Sequence, residues 1–273
     1  MPPGRHWPIR PAPADASARA AGLHERHRWI GAHITRDLPF EFLAQIDLAE
    51  IAGRPGAADL PPDGRLLFFW DGVVGLMFEG AAACRVIFDQ TPKDALRRAE
   101  MPALLHELEA AYDPEGRYKK PYIYPSRRMA LAPNLALPSS MCCEALVDVA
   151  LSARLDEEEF AEAYRFATAM DEGFFKREDR GANRQRLLGA PDPEQDDPRY
   201  NALDPAELPP HPWSPEASRD AARRALDWRL LLQLDLGDLS QQSLTEGAVY
   251  FVIARDDLAQ RDFSRVRAYY QQT

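Results

Sequence analysis

Two stretches of the chain, FLAQIDLAEI from Phe42 and LLLQLDLGDL from Leu230, set Gln45 opposite Gln233, Asp47 opposite Asp235, Leu48 opposite Leu236 and Ile51 opposite Leu239. Two further blocks follow in the same order. GRLLFFWD from Gly64 matches GAVYFVIA from Gly247, and RVIFDQT from Arg85 matches RVRAYYQQT from Arg265. The offset between the copies falls from 188 to 183 to 180 residues, as small loop deletions would produce. Residues 42–92 and 229–272 therefore read as two copies of one strand-rich unit.

Inside the unit, Leu66 to Trp70 is an unbroken apolar run bounded by the turn residues Pro61, Pro62, Asp63 and Gly64, which predicts a strand buried on both faces. ACRVIFDQT predicts a third strand ending at Asp89. Simple alternation in the first stretch places Leu43, Gln45 and Asp47 on one face and Phe42, Ala44, Ile46 and Leu48 on the other. Two readings of its polar residues follow. Gln45, Asp47, Gln233 and Asp235 could line a cleft between the copies. Alternatively, Asp47-Leu48-Ala49-Glu50 is a capping box, with Asp235 to Asp238 a weaker one. Each Asp would then open a helical turn worth about 1 kcal/mol, and each Gln would satisfy backbone near its strand end.

The rest of the chain is less regular. Five prolines in residues 1–14 predict an extended arm, and the alanine-rich pattern from Asp15 to Gly31 predicts a helix. KDALRRAEMPALLHELEAAY predicts a helix kinked or divided at Pro102, SRRMALAPNLALPS an extended strand, and DEEEFAEAYRFATAMDEGFF an amphipathic helix. Residues 191–215 hold eight of the 24 prolines and predict a long loop. The expected fold is α+β, with mixed or antiparallel sheets from two intertwined repeats and helices packed on them. Residues 1–35 form the arm and first helix, and residues 36–273 a single domain.

A net charge of −10, from 43 acidic against 33 basic side chains, opposes nucleic acid and anionic membranes and favours a partner protein with a basic surface. The three cysteines, Cys84, Cys142 and Cys143, match neither a disulfide framework nor a zinc site. They suit a reducing cytoplasm. Nothing near Met1 has the apolar core of a secretion signal.

FLAQIDL, LPPDGRLLFF, QRLLGAPDPEQDD from Gln185, DWRLLLQLDL and GAVYFVIARDDLAQRDFSRVRAYYQ together resemble, in order and spacing, the YwqG-like group of bacterial proteins, a domain-of-unknown-function group. The resemblance spans about residues 36–271. Its most specific stretch holds Leu187, Leu188, Gly189, Pro191, Asp192, Pro193 and Gln195, choices that no regular structure demands. The resemblance implies an α+β fold of two intertwined repeats and no established reaction. The group's Gly-Gly and Leu-Pro start, ahead of a Trp-Pro pair, is represented only by His6-Trp7-Pro8.

No nucleophile elbow, phosphate loop or dinucleotide fingerprint is present, so no cofactor is expected. His24 and His27 stand one helical turn apart but lack a third ligand at a metal-binding spacing. Tyr118, Tyr122 and Tyr124 interleave with Lys119, Lys120, Arg127 and Arg128, yet the overall acidity argues against a nucleic-acid partner. Trp213, with Tyr200, is the candidate interface anchor on the proline-rich loop. The expected function is a non-catalytic protein-binding module, in one concrete form an immunity-type protein neutralising a basic bacterial toxin. The alternative is an enzyme using Gln45, Asp47, Gln233 and Asp235, with Asp192 or Gln195, between the repeats.

Overall fold

A computed structural model describes residues 7–12, 14–15, 17, 35–72, 80–112, 126–133, 138, 141–147, 184–208, 214–240 and 247–272. All but Asp15 and Ser17 of the helix expected at 15–31, the helix expected at 156–175, and Trp213 lie outside the described residues. All the described strand pairs are antiparallel, and with a few helices beside these sheets the described residues are consistent with an α+β or a mostly-β fold.

The first sheet is a meander of β3 (Glu41–Asp47), β4 (Arg65–Trp70) and β5 (Cys84–Asp89). The second runs in the order β6 (Arg186–Leu187), β7 (Trp228–Asp235), β8 (Ala248–Ala254) and β9 (Arg267–Gln271). β1 (Ile9–Arg10) pairs with β2 (Leu38–Pro39), so this part of the proline-rich arm is fixed to the body. Trp7 donates its indole N–H to the Phe40 carbonyl at 2.7 Å, and a buried Arg10–Asp71 ion pair adds a second attachment.

The sheets share one core. Leu66, Phe68, Trp70 and Val86 from the first meet Leu232, Leu234, Val249, Phe251 and Ile253 from the second. Phe68 and Phe251, which align in the sequence, touch edge to face with ring centroids 5.1 Å apart, and Trp70 stacks on Tyr270 at 5.8 Å. Each fully buried ring is worth roughly 1.5–3 kcal/mol. β4 is central and buried along its whole length, as its apolar run predicts. Each three-strand meander stays within its own sheet, and an isolated bridge between Gly80 and Ala268 links the two.

Both meanders carry the same irregularity. The β3–β4 register shifts between Phe42 and Ala44, and the β7–β8 register shifts between Leu230 and Leu232. The extra residues, Leu43 and Leu231, are aligned in the sequence. A bulge inverts the alternation on one side of itself, which corrects the face assignment made from simple period two. Phe42 lies across from Phe69 on the outer face, together with Gln45 across from Leu67, while Leu43 packs toward the core.

Five helices are described. α1 (Ala103–Tyr112) begins directly after Pro102, and α2 is Cys143–Val147. α3 (Pro215–Ala225) is capped by Ser214 accepting from the Ala217 amide at 3.2 Å, with Pro215 in the first turn, where its missing N–H is harmless. Its small residues Ala221, Ala222 and Ala225 pack against Cys143 and Leu203. α4 (Leu236–Ser240) and α5 (Arg255–Ala259) follow β7 and β8. Ahead of Pro102 the expected helix is replaced by a single 3-10 turn at Lys93–Ala95, since a residue before proline avoids helical geometry. Residues 126–133, read as strand, make no described sheet pairing. No described helix is long and apolar enough to cross a membrane.

Candidate functional site

After β6 pairs with the edge of β7, the motif from Asp192 to Asp196 crosses the outer face of the second sheet, held by side chains where a strand would be held by its backbone. The Gln233 amide, fully buried, accepts from the Asp192 N–H at 2.8 Å and donates to the Asp192 carbonyl at 3.3 Å. Gln185 makes the reciprocal clasp on Asp235, accepting from its N–H at 3.1 Å and donating to its carbonyl at 3.2 Å. Tyr250 adds its hydroxyl to the Asp192 carbonyl at 2.9 Å. Burial holds this phenol above its usual titration range, so it stays a donor. Gln271 accepts from the Glu194 and Gln195 amides at 3.1 and 3.4 Å and donates to the Asp196 carbonyl at 2.7 Å. Gln195 donates to the Gln272 carbonyl at 2.8 Å.

Charges reinforce the clasp. Arg184 bridges Glu194 and Asp235, reaching the latter at 3.2 Å, and Arg186 reaches Asp192 at 3.3 Å. The turn between them needs unusual backbone: Leu188 and Gly189 are both left-handed, at φ 65 and φ 80. Glycine takes that conformation freely and leucine does not. Leu188 is held there by core packing and by its N–H bond to the Leu231 carbonyl at 3.2 Å.

A model of the family described as Domain of unknown function (DUF1963) matches residues 1–271. The chain belongs to the DUF1963 family. No curated protein matches this DUF1963 sequence.

In the same stretch, Asp197 is fully buried and accepts from the Cys143 amide at 2.8 Å and from Arg199 Nη2 at 2.6 Å. Arg199 also forks onto Glu144 at 2.8 and 2.5 Å. Burial opposes charge on Asp197, but Arg199 and the amides outweigh it and hold the carboxyl below the usual carboxylate range. Burial beside Asp197 raises Asp196 instead. One ligand atom each from Cys142, Glu144 and Asp197 lies within 4.8 Å of the others, a grouping that invites a metal reading. The Arg199 guanidinium already supplies the cation between the two acids, so the grouping is an ion-pair network tying α2 to the motif. Burial raises the Cys143 thiol and pushes Cys84 up to about 12, which keeps both from being nucleophiles at neutral pH.

The sequence-predicted residues divide by location. Asp47 accepts from the Ala49 amide at 3.2 Å, opens one 3-10 turn at Leu48–Glu50, and pairs with Lys93 at 2.6 Å. Gln45 is exposed on the outer face of the first sheet, whereas Gln233, across from Tyr250, is on the outer face of the second. The packed core separates them, so the four aligned polar residues do not converge on one cleft among the described residues. Gly189 is an exposed turn residue, and Asp192, Gln195, Gln233 and Asp235 gather in the clasp. Tyr200 faces inward, half-buried against Cys143 and Leu203. Sequence reasoning missed Arg184, Gln185, Glu144, Arg199, Tyr250 and Gln271. The available signal was an amide-rich set of strand ends, at Gln233 and at Gln271 in YYQQ, flanking an irregular Pro-Asp motif with as many amide groups to satisfy.

Proposed function

We propose that this DUF1963 chain is a non-catalytic protein-binding module, of the YwqG-like type, whose partner presents a basic surface. The observation that carries the reading is that the polar side chains packed around the most specific motif are spent on holding its shape. Gln185, Gln233, Gln271 and Tyr250 hold backbone, and Arg199 holds Asp197 and Glu144. A surface built to keep an irregular contour suits recognition by shape, and the charge of −10 selects a basic partner. One concrete form is an immunity-type protein of the cytoplasm that masks a bacterial toxin. The enzyme alternative draws less support, because its proposed residues occupy opposite outer faces.

The architecture supports a further part of the same reading, that one strand unit was duplicated within a single domain spanning residues 36–273 and the copies became mutually dependent. The aligned bulges at Leu43 and Leu231 favour it. So do the aligned bonds from Leu48 N–H to the Gly64 carbonyl and from Leu236 N–H to the Gly247 carbonyl, each 3.0 Å. The function is tested by affinity capture from the source cell together with co-expression beside the neighbouring gene's product. Stable capture of a basic protein and rescue from its toxicity are expected; no partner and no rescue would sink the immunity form.

A further inference from the structure

The two meanders differ most at one edge. In the second sheet the outer edge of β7 is covered by β6, with Arg186 across from Gln233, Leu187 across from Leu232, and the Leu188 N–H on the bulge carbonyl of Leu231. Under that cover Leu231, Leu232 and Leu234 are 0%, 4% and 5% exposed. The aligned residues of β3 are Leu43, Ala44 and Ile46, which pack on the same core yet are only half-buried. No described strand pairs with the edge of β3 opposite β4. Phe42 lies open on the adjoining outer face at 39% exposure, and Gln45 beside it is exposed. A sheet edge with half-covered apolar residues is a template for strand addition.

We infer that the edge of β3 opposite β4, unpaired among the described residues, receives an extended basic–apolar segment of the partner protein, paired as β6 pairs with β7. The inference rests on the binding reading above and gives it a site. The occupant's chemistry follows from the filled edge and from local charge. On β7, Arg184 reaches Asp235, Arg186 stands across from Gln233, and Leu187 covers the core. On β3 the matching positions are Asp47, Gln45 and Ala44, and Asp47, which also caps Ala49, has as its ion-pair partner among the described residues Lys93, a side chain 74% exposed. An incoming arginine can take that carboxylate, a second can lie beside Gln45, and a large apolar residue fits where Ala44 leaves more room than Leu232. The segment therefore reads Arg-x-Arg-Leu or a close equivalent.

The test uses the full chain and a dye-labelled peptide of its own residues 184–191, RQRLLGAP. Saturable binding by fluorescence anisotropy is expected, with amides from Phe42 to Ile46 gaining hydrogen-exchange protection. Backbone N-methylation of the peptide abolishes binding, and Gln45→Lys weakens it about fivefold, the scale of a like-charge cross-strand placement. Gln45 is exposed, so this variant folds, which an unchanged melting curve verifies. Absence of saturable binding, equal binding by Gln45→Lys, or protection confined to β7 would overturn the inference. A concentration-dependent dimer that Gln45→Lys abolishes would assign the edge to a second copy and also overturn it. If Gln45→Lys captures the cellular partner as well as the parent chain does, the binding reading stands and this edge is not its site. If the parent chain captures nothing while the peptide binds β3, the edge stands and the cellular reading fails.

Discussion

Replacing Gln233 by leucine tests whether side-chain amides hold the stretch around Asp192 in place. The substitution keeps volume and removes two bonds, from the Asp192 N–H at 2.8 Å and to its carbonyl at 3.3 Å. The carbonyl keeps Tyr250 as a donor, so the larger loss falls on the N–H. One net hydrogen bond at about 1 kcal/mol, plus up to about 1 kcal/mol for a part-buried amide left without a partner, predicts a loss of about 1–2 kcal/mol. Urea denaturation followed by tryptophan fluorescence should show a lower midpoint with an unchanged slope. Gln271→Leu removes the acceptor for the Glu194 and Gln195 amides in the same loop. Once one clasp is lost the loop can lift and hydrate, so the second loss costs less and the double variant falls short of the sum by at least about 0.5 kcal/mol. Strict additivity, or a Gln233→Leu loss below about 0.5 kcal/mol, the ordinary surface range, would refute the clasp.

Asp47→Ala should cost about 1 kcal/mol at neutral pH through the lost cap. The Lys93 hydrogen bond holds the Asp47 carboxyl below its ordinary range, so its contribution is present above the unfolded carboxylate pKa and is lost as pH falls through the lower folded value. The gap between parent and variant in urea midpoint should therefore close on acidification, and a gap constant from neutral pH to below pH about 3 would contradict the pairing. Arg199→Met strands the buried Asp197 and should cost about 3–5 kcal/mol in thermal or urea melts, and a loss under about 1 kcal/mol would mean the network is not buried as described. At Gly247, φ is 89 and an added Cβ would collide with the Gln271 carbonyl and the Tyr270 ring, whereas at Gly189, φ 80, the space is open. Gly189→Ala should lose only the left-handed cost of about 1–2 kcal/mol, and Gly247→Ala distinctly more, measured by melting temperature. Equal losses would refute the crowding.

The periodic parts of this fold were legible because burial leaves a period. The run from Leu66 to Trp70 could only be a covered strand, and Asp89 ended the next one as read. The bulge was not legible, because Leu43 and Leu231 are ordinary strand residues and the shift resides in backbone hydrogen bonding, so Phe42 was placed on the wrong face. The site was partly legible. The oddness of Leu187 to Gln195 pointed to a constrained surface, and aligned glutamines marked one clasp. Their partners come from strands far apart in the chain, such as Tyr250 and Gln271, and only tertiary structure brings them together. Arg199 escaped notice for another reason: an arginine after two acids looks like a solvated charge until Asp197 proves to be fully buried.

The clasp also imposes an order of events during synthesis. A chain emerges from its N-terminal side and its elements settle as they become available. The Glu194 and Gln195 amides lack their side-chain acceptor until Gln271 arrives, 77 positions after Glu194. Until β9 is made, that contour is pinned by β7 and β8, through Gln233 and Tyr250 on Asp192. A ribosome stalled within β9 would carry a molecule whose first sheet can be complete while its most distinctive surface is still open at Glu194 to Asp196.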